Sequence, residues 1–385
     1  MTLFRMPPAW SPITLGAILS GFRAAWLTDG TTARRQLDEV LRRMYAPQQL
    51  YLTNSGTSAL TLALKVVDAV THAPVALPAY CCYDIATAAD GAGVAFHLYD
   101  LEPDTLSPDI ASLRRAFEEG ARSVVVAHLF GVPADLAAVQ ALASEFGAVV
   151  IEDAAQGSGC EWKGKPAGAH GALGILSFGR GKGVTGGKGG ALMVNDGRLL
   201  EAARDAWNAS AGPRAPRGSF KDLLLLKAQW LFGRPSLYWI PAALPFLGLG
   251  ETTYHSPKPT GGISTLAAAV LLRTIPLVPV EVARRRAIAE GIGARLGRRQ
   301  LPSGWTGGWL RYPNVLQDTA EPALLAYNVR FGVMRGYPLA LADLEGFGVR
   351  RINRQAEFPG ARRLAERLVT VPSHRFVRSA TDPVF

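Results

Sequence analysis

The chain has 385 residues, enough for about two structural units or for one large α/β unit with an appended piece. Hydrophobic residues make up 48% of it and charged residues 19%, and this balance excludes a disordered or fibrous chain. The formal net charge of +10 favours anionic partners, whether phosphorylated metabolites, acidic lipid surfaces or nucleic acid.

The cysteine content and the first residues indicate a cellular compartment. Cys81, Cys82 and Cys160 are too few for a disulfide framework, and no CxxC pair indicates a zinc site. The chain starts without the long apolar run and small-residue cleavage site that are typical of a signal peptide. These features predict a cytoplasmic protein without a metal site.

The first two hundred residues divide into two parts. Residues 1–50 are predicted to form a peripheral helical segment. In 51–200, short apolar runs alternate with helical stretches, one of which is expected at 134–146. The candidate strands are 75–77, 94–96, 123–128, 148–151 and 174–178. This alternation predicts a mostly parallel central sheet with helices on both faces.

Residues 201–260 interrupt the alternation as an apolar and basic insertion, and 261–385 are expected to hold a long helix and a small C-terminal domain. The insertion includes the most hydrophobic segment of the chain, 223–250. Its uncharged core, 235–250, has 16 residues and three prolines, whereas a membrane-spanning helix needs about 20 apolar residues.

Two interpretations of segment 223–250 remain open. It is either a lid or dimer contact, or a segment that lies in a membrane interface. The second interpretation rests on aromatic residues that suit headgroup depth and on cations, some of them just before the segment, that suit anionic lipid. These residues are Trp230, Tyr238, Trp239, Arg214, Arg217, Lys221, Lys227 and Arg234.

The first chemical motif is the small-residue run 54–60, which leads into an apolar helix. Gly56 lets the backbone approach a ligand, and Thr57 and Ser58 can cap the helix. The free N–H groups and the helix dipole make this a candidate phosphate seat, although any capped helix has a similar pattern.

The second motif is the buried strand 149–156, whose carboxyl end presents Asp153. Ligands of open α/β sheets bind beyond the carboxyl ends of strands, and a simple capping role for Asp153 is the alternative. The third motif is the glycine-rich loop 177–190, which lacks the spacing of a Walker loop. In it Lys182 can approach a flat ligand, and a neutral lysine amine forms Schiff bases.

Taken together, a phosphate seat, a carboxylate at a strand end and a lysine in a close loop are the parts that pyridoxal 5'-phosphate needs. The three blocks 54–60, 151–156 and 177–190 resemble the signature blocks of the DegT/DnrJ/EryC1/StrS aminotransferases. Segments 77–80, 99–106 and 128–131 resemble their strand ends and connections. The likeness covers residues 45 to 196 and is weaker around 263–286 and 371–374.

The resemblance implies a fold and an assembly. Members of this family are fold-type I pyridoxal-phosphate enzymes, best known for aminating keto sugars attached to nucleotides. The implied architecture is α/β, with a large domain whose mostly parallel sheet is sandwiched by helices and a smaller C-terminal α/β domain at about 255–385. A homodimer with active sites at the interface is also expected.

The resemblance also implies roles for individual residues. Lys182 matches the lysine that forms the internal aldimine, Asp153 the partner of the pyridine nitrogen, and Gln156 the residue near the ring hydroxyl. The implied phosphate ligands are Thr57, Ser58 and Ser177, and Gly56 is the cofactor-binding glycine that lets the backbone approach. Cys82 holds the closest ungapped position to the usual stacking aromatic, so Tyr83, or else Tyr80, is expected to stack on the ring.

Two departures from the family pattern concern the acceptor. Gly187–Lys188 stands where many members have glycine and an acid, which reverses a charge beside the active loop. About residues 260–262, Thr-Gly-Gly replaces a segment whose asparagine reaches the neighbouring subunit's cofactor phosphate in many members. The contacts to the cofactor phosphate are therefore expected to be made by Arg180 or Lys188 instead. These departures also put the family's usual sugar-nucleotide acceptor in question.

The predicted function is transfer of an amino group, with glutamate as donor, to a keto group of a sugar-type acceptor that is nucleotide-linked by family default. Two alternatives stay open: the same chemistry on a lipid-linked or membrane-presented acceptor at the inner face of the membrane, and a non-catalytic regulatory member of the fold. Nucleic-acid binding is not expected, because the basic runs 284–286 and 298–299 are typical of solvated helix faces.

Overall fold

A seven-stranded sheet forms the centre of the computed structural model, which describes residues 4–210, 216–244, 253–316 and 329–377. In chain order the strands are β1 (Gln49–Thr53), β2 (Val75–Pro78), β3 (Phe96–Tyr99), β4 (Ser123–Ala127), β5 (Val149–Asp153), β6 (Glu161–Trp162), β7 (Lys165–Pro166), β8 (Leu173–Ser177), β9 (Gly190–Val194), β10 (Trp305–Thr306), β11 (Arg311–Val315), β12 (Met334–Arg335) and β13 (Leu368–Pro372).

Helices cover both faces of this sheet. They are α1 (Leu15–Trp26), α2 (Thr31–Tyr45), α3 (Gly56–Thr71), α4 (Asp84–Ala92), α5 (Ile110–Glu118), α6 (Leu136–Glu145), α7 (Leu200–Ala209), α8 (Phe220–Phe232), α9 (Trp239–Ala242), α10 (Thr265–Thr274), α11 (Val278–Leu296) and α12 (Pro359–Arg367). The predicted helix at 134–146 is confirmed as α6.

The central sheet has the strand order β1-β9-β8-β5-β4-β2-β3. In this sheet β9 runs antiparallel to both of its neighbours, and the remaining strands are parallel to one another. The parallel strands are short apolar runs that are buried on both faces, as expected for strands covered by helices. The carboxyl ends of β5 and β8 therefore lie side by side at one edge of the sheet.

Within the central sheet, the predicted strands overlap the observed ones, with one displacement and two omissions. β3 begins at Phe96 instead of 94, because Gly93 ends α4 with a φ of +74° and the chain is still leaving the helix at Val94. β1 and β9 were not predicted. β9 directly follows the glycine-rich loop, and its small residues Gly190 and Ala191 are a weak strand signal.

The predicted long helix at 263–296 is present with one interruption. α10 and α11 are joined by a 3₁₀ turn at Ile275–Leu277, where Pro276 removes a backbone donor. By length and composition this stretch, Thr265–Leu296, is the candidate membrane span found within the described ranges. Half of its apolar window is buried in the molecule, and α10 packs against α1 and α2.

Two smaller parts complete the molecule. In the C-terminal part β13 lies between β11 and β12 in an antiparallel sheet, with α12 leading into β13. In the insertion, α8 begins with a capping box in which the Ser219 and Asp222 side chains each accept from the other residue's backbone N–H. The remainder of the predicted apolar segment beyond 244, and Arg214, lie outside the described residues.

Candidate active site

A pocket opens where β5 and β8 end and α3 begins. Six of the eight predicted site residues line it: Gly56, Thr57, Asp153, Gln156, Ser177 and Lys182. They come from three separate parts of the chain and converge because the carboxyl ends of parallel strands meet at one edge of the sheet. The remaining two predicted residues, Ser58 and Tyr83, do not line the pocket.

The N-terminus of α3 is held by Ser55, whereas the sequence predicted capping by Thr57 or Ser58. The Ser55 hydroxyl accepts from the Ser58 N–H at 3.0 Å and donates to the Ser58 hydroxyl at 3.0 Å. Ser58 is thus turned towards the cap and away from the pocket. A methyl group placed on Gly56 would lie 2.7 Å from the Cβ of Ser177, so only glycine lets the helix end approach the β8 end this closely.

Asp153 is the last residue of β5 and is almost fully buried. One of its carboxylate oxygens accepts from the Ala155 N–H at 2.9 Å. Burial raises the pKa of the Asp153 carboxyl, although the Ala155 N–H and the nearby Lys182 ammonium act in the opposite direction. A cationic ring nitrogen bound at this carboxylate would lower its pKa again.

A buried, hydrogen-bonded histidine–glutamate pair lies next to Asp153. Nδ1 of His128 accepts from the Ala134 N–H at 3.1 Å, so Nε2 carries the proton and donates to Glu152 at 2.9 Å. The second Glu152 oxygen accepts from the N–H groups of His170 and Gly171 at 2.8 and 2.9 Å. Burial raises the pKa of Glu152, but these hydrogen bonds outweigh it and leave the pKa below its ordinary value. The pair fixes the end of β5, and no sequence motif indicated it.

The chain matches known proteins in sequence and in structure. The family model of the DegT/DnrJ/EryC1/StrS aminotransferase family matches residues 15–228, which is more than half of the chain. The chain belongs to this family. The family's members use pyridoxal 5'-phosphate as cofactor. The predicted family resemblance is thereby confirmed.

Two curated relatives match part of the chain. The L-glutamine:2-deoxy-scyllo-inosose aminotransferase of Streptomyces kanamyceticus is 34% identical over 143 residues, which are 37% of this chain and 34% of that protein. The EpsN protein of Bacillus subtilis (strain 168) is 29% identical over 213 residues, 52% of this chain and 54% of that protein. The matched region therefore spans about a third and about half of these relatives.

Solved structures match nearly the whole chain and confirm the predicted α/β fold class. The sugar aminotransferase CalS13 from Micromonospora echinospora has a TM-score of 0.72 at 18% identity, covering 96% of this chain and 95% of that one. The GDP-4-keto-6-deoxy-D-mannose-3-dehydratase of E. coli, solved with bound hydrated pyridoxal phosphate, has a TM-score of 0.69 at 15% identity over 96% and 95%.

The pocket residues fit this family's cofactor. Gly56 and Thr57 bring the N-terminus of α3 beside Ser177, which gives backbone N–H groups and hydroxyls suited to a phosphate. Asp153 provides a carboxylate whose pKa is raised by burial, and Lys182 provides an amine in the same pocket. The described residues contain no cluster of His, Cys, Asp or Glu that could hold a metal ion.

Gln156, the residue that the family pattern places near the ring hydroxyl, is fixed from two sides. Its carbonyl oxygen accepts from the Phe130 N–H at 2.8 Å, and its amide donates to the Tyr337 hydroxyl at 2.6 Å. Tyr337 comes from the C-terminal part of the chain and is buried, which raises the pKa of its hydroxyl. Sequence reasoning missed Tyr337, because nothing in its local sequence indicates a contact 181 residues away.

Neither of the two tyrosines expected to stack on the cofactor ring, Tyr80 and Tyr83, lines the pocket. The Tyr80 hydroxyl accepts from the Tyr337 N–H at 2.8 Å, and the Tyr83 hydroxyl accepts from the Leu339 N–H at 2.9 Å. Both tyrosines therefore fasten the C-terminal part to the sheet. Cys82 lines the pocket instead, in agreement with the ungapped alignment.

Cys82 has an acidic neighbour at the pocket mouth, Asp84, which sequence reasoning also missed. The Cys82 thiol lies 3.5 Å from a carboxylate oxygen of the exposed Asp84. Burial, together with the Asp84 charge, raises the pKa of Cys82 to about 12, so its thiol stays protonated at neutral pH. The pocket therefore contains a neutral thiol and a second carboxylate in addition to Asp153.

The loop that carries Lys182 is held from behind. The Ser11 hydroxyl donates to the Lys182 carbonyl at 2.6 Å, which ties the N-terminal segment to the loop. Lys188, the reversed charge of the family turn, pairs with Asp222 of α8 at 2.7 Å. A methyl group on Gly187, whose φ is +82°, would lie 2.6 Å from Leu226, so α8 packs directly on this turn.

The two residues that were expected to take over contacts to the cofactor phosphate do not lie in the pocket. Arg180 is exposed and Lys188 is bound to Asp222, and neither residue lines the pocket. The Thr-Gly-Gly segment at 260–262 lies against the same subunit: the Asn54 N–H donates to the Gly261 carbonyl at 2.7 Å. Of the groups expected to contact the phosphate, the N-terminus of α3 and Ser177 are the ones that line the pocket.

Proposed function

We propose that this protein is a pyridoxal-phosphate-dependent aminotransferase that moves an amino group, with glutamate as donor, to a keto group of a sugar-type acceptor. The observation that carries the proposal is the convergence of Lys182, Asp153 and the α3 N-terminus in one pocket. Membership of an aminotransferase family supports the same reaction class.

Each pocket residue has a role in this reaction. Bound pyridoxal phosphate supplies an electron sink for the carbanion that forms when a proton leaves Cα of the amino substrate. Lys182 Nζ would hold the cofactor and, as a free amine, would move the Cα proton as general base and acid. Asp153 would accept a hydrogen bond from the protonated ring nitrogen.

The remaining groups orient the cofactor. Backbone N–H groups of Gly56 and Thr57, with the hydroxyls of Thr57 and Ser177, bind the phosphate at the helix end. Gln156, fixed by Phe130 and Tyr337, presents its amide edge to the ring hydroxyl. Orientation of this kind is worth several kcal/mol of the barrier, because the reacting atoms then meet without further loss of freedom.

The acceptor is proposed to be a nucleotide-linked keto sugar, which the positive net charge of the chain suits through its diphosphate. A second candidate, a lipid-linked acceptor, is favoured by one observation: α8 exposes apolar side chains on the outside of the helix that supports the Lys182 loop. The working form is proposed to be a cytoplasmic homodimer with its active sites at the interface.

The first test is the visible absorbance of the purified protein with pyridoxal phosphate, before and after addition of an amino donor. We expect a visible band that bleaches with donor and is absent from Lys182→Ala, whereas Lys65→Ala, a change at an exposed lysine of α3, keeps it. Glutamate and glutamine are compared, since the name of one relative gives glutamine as its donor. A wild-type protein without a band would contradict the proposal and favour the non-catalytic alternative.

The acceptor is tested separately, once donor-dependent bleaching is seen. The donor-loaded protein is mixed with nucleotide-linked keto sugars in detergent-free buffer, and return of the visible band is followed. A return with soluble nucleotide-linked acceptors supports the first candidate. Return of the visible band only with keto sugars presented on lipid vesicles would favour the lipid-linked acceptor instead. The sedimentation coefficient of the protein in the detergent-free samples tests whether it is a dimer.

A further inference from the structure

The helix α8 has two apolar faces, although only one of them is packed. On the inner face Leu223 and Leu226 are buried against α1 and against Leu266 and Val270 of α10. This face also carries Asp222, which binds Lys188 of the active-site loop. The inner face therefore accounts for the packing of α8, and the outer face needs a different explanation.

The outer face of α8 is a stripe of exposed side chains. Phe220, Leu224, Lys227 and Leu231 follow the spacing i, i+4, i+7 and i+11, which places them along one side of the helix. The three apolar members are exposed by 63%, 51% and 38%. Exposed apolar patches that are bordered by polar side chains mark sites of contact with a protein, a ligand or a membrane.

Helix α1 extends this stripe into a wider surface. Leu15 lines a shallow groove together with Lys227, Trp230 and Leu231, and Leu19, one turn further along α1, is exposed by 53%. We refer to the exposed faces of α1 and α8 as the α1/α8 surface. It carries leucine, phenylalanine and tryptophan side chains beside lysine, a composition typical of helices that lie in a membrane interface.

The free charges carried by the two segments that form the α1/α8 surface have one sign. Residues 4–27 contain no aspartate or glutamate, and between 216 and 244 the single acid is Asp222, which Lys188 neutralises. The exposed cations of these two segments include Arg23, Arg217, Lys221, Lys227 and Arg234. The guanidinium of Arg234 lies 4.5 Å from the centre of the Trp230 ring, so one cation sits on the aromatic part of the surface.

This charge distribution selects among the possible occupants. In a two-fold interface between copies of the chain the same patch would face itself, which would bring these cations together without compensating acids. An anionic bilayer accepts both features, because its headgroups attract cations at about 1 kcal/mol each and its acyl boundary accepts the apolar side chains. We propose that the α1/α8 surface docks on an anionic lipid bilayer, with both helices in the plane of the interface.

Docking of this kind would place the active-site loop near the lipid surface. The loop turn at Gly187 and Lys188 contacts the inner face of α8, so only one helix diameter, about 10 Å, separates it from the bilayer. The docking inference does not depend on the proposed reaction, since it rests on the α1/α8 surface and on no residue of the pocket.

The test is flotation of the full chain with vesicles of phosphatidylcholine alone and of phosphatidylcholine mixed with phosphatidylglycerol. We expect flotation with the mixed vesicles only. The variant Leu224→Glu/Leu231→Glu is expected to remain soluble and to stop floating. Its matched control is Val349→Glu/Ile352→Glu, which changes two exposed apolar residues of the C-terminal part and is expected to float like the wild type.

A second pair of variants tests the charge without changing the apolar side chains. Lys221→Glu/Lys227→Glu is expected to lower the partition coefficient on anionic vesicles about tenfold or more, and raised salt is expected to reduce wild-type binding. Arg350→Glu/Arg363→Glu, which reverses two exposed cations of the C-terminal part, is the matched control. Circular dichroism of each variant reports whether it is folded.

Two results would overturn the inference. The first is failure of the wild type to float with anionic vesicles, together with a dimer that dissociates in Leu224→Glu/Leu231→Glu, since the surface would then be an interface between copies. The second is equal flotation with neutral and anionic vesicles that survives both surface variants. Loss of flotation in the surface variants and not in the controls supports the inference.

Discussion

The two sides of the Lys182 loop are built in different ways. Its front faces a pocket whose residues stand at the ends of successive strands, each next to a recognisable local motif. Its back is held by single residues of distant segments: Ser11 from the N-terminus and Asp222 from α8. The front determines which chemistry is possible, and the back determines where the loop lies while that chemistry occurs.

The largest expected effect concerns the front. Asp153→Asn removes the carboxylate at the ring nitrogen while keeping the shape of the side chain, and we expect donor-dependent turnover to fall by about 10²- to 10³-fold. Steady-state kinetics with saturating pyridoxal phosphate measures this change. The neighbouring pocket acid provides the control, because Asp84 stands at the mouth and Asp84→Asn is expected to have a smaller effect on turnover.

The same substitution is expected to stabilise the protein without cofactor. Burial raises the pKa of Asp153, so its ionised form costs stability at pH values above the raised pKa, and this cost disappears below its ordinary value of 3.8. The asparagine side chain does not titrate, hence the gain seen in urea unfolding at neutral pH should shrink as the pH falls. An Asp153→Asn protein that is less stable than wild type would show that the carboxylate is not strained there.

The front could be predicted because its signals are local. Three patterns can be recognised within about ten residues each: a buried strand followed by Asp153, a run of small residues before α3, and a lysine among glycines. The parallel sheet then brings these three segments together. Stacking by Tyr83 was the part that local sequence could not decide. Its side chain direction is set by Leu339 of the C-terminal part, to which its hydroxyl is bound.

The contacts at the back of the loop could not be predicted, because the residues that make them lie far apart in the sequence. Nothing near Lys188 shows that Asp222 will balance its charge, and nothing near Ser11 shows that its hydroxyl will reach the Lys182 carbonyl. Such contacts depend on how α8 and the N-terminal segment pack after the sheet has formed. The apolar and basic character of the insertion was visible in the sequence, but which of its faces would be buried was not.

The next effect concerns the N-terminal segment, which His374 holds by donating to the Pro7 carbonyl at 2.8 Å through Nε2. Burial lowers the pKa of His374 to about 4, and its Nδ1 has no hydrogen-bond partner among the described residues. The unfolded chain therefore binds a proton below about pH 6.5 that the folded protein does not, and stability is lost between about pH 6.5 and pH 4.

The variant His374→Gln keeps a donor for Pro7 and cannot titrate. Between about pH 7.5 and pH 5.5 we expect the wild type to lose about 1.4 kcal/mol more unfolding free energy than this variant. Urea unfolding at both pH values measures the difference. Parallel losses in the two proteins would mean that His374 is protonated in the folded state and that the N-terminal segment is held in another way.

A smaller effect is expected at the contact between the front and the C-terminal part. Tyr337→Phe leaves the Gln156 amide without its acceptor, and we expect a loss of about 1 kcal/mol of stability and about fivefold weaker cofactor binding. Tyr83→Phe removes a hydroxyl whose hydrogen-bond partner among the described residues is Leu339, so it should lose similar stability and keep cofactor affinity. Equal cofactor dissociation constants for the two variants would exclude a positioning role for Tyr337.

The smallest effect is expected at the back, at the Lys188–Asp222 pair. Hydrogen bonds from Lys188 and from the Ser219 N–H hold the pKa of Asp222 below its ordinary value in spite of partial burial, so the pair adds stability above that value and loses it in acid. Lys188 is 44% exposed, and solvent screening limits the pair to about 0.5 kcal/mol.

Lys188→Glu restores the acid that many family members carry in this turn and places it against Asp222. We expect a loss of about 1 kcal/mol, weaker at high salt, and recovery of most of it in Lys188→Glu/Asp222→Asn, where the two like charges no longer meet. Urea unfolding of the wild type, both single variants and the double variant closes the cycle. A coupling energy of zero would mean that α8 holds the active-site loop through the packing of Leu226 on Gly187. The Lys188–Asp222 pair would then contribute nothing to the position of this loop.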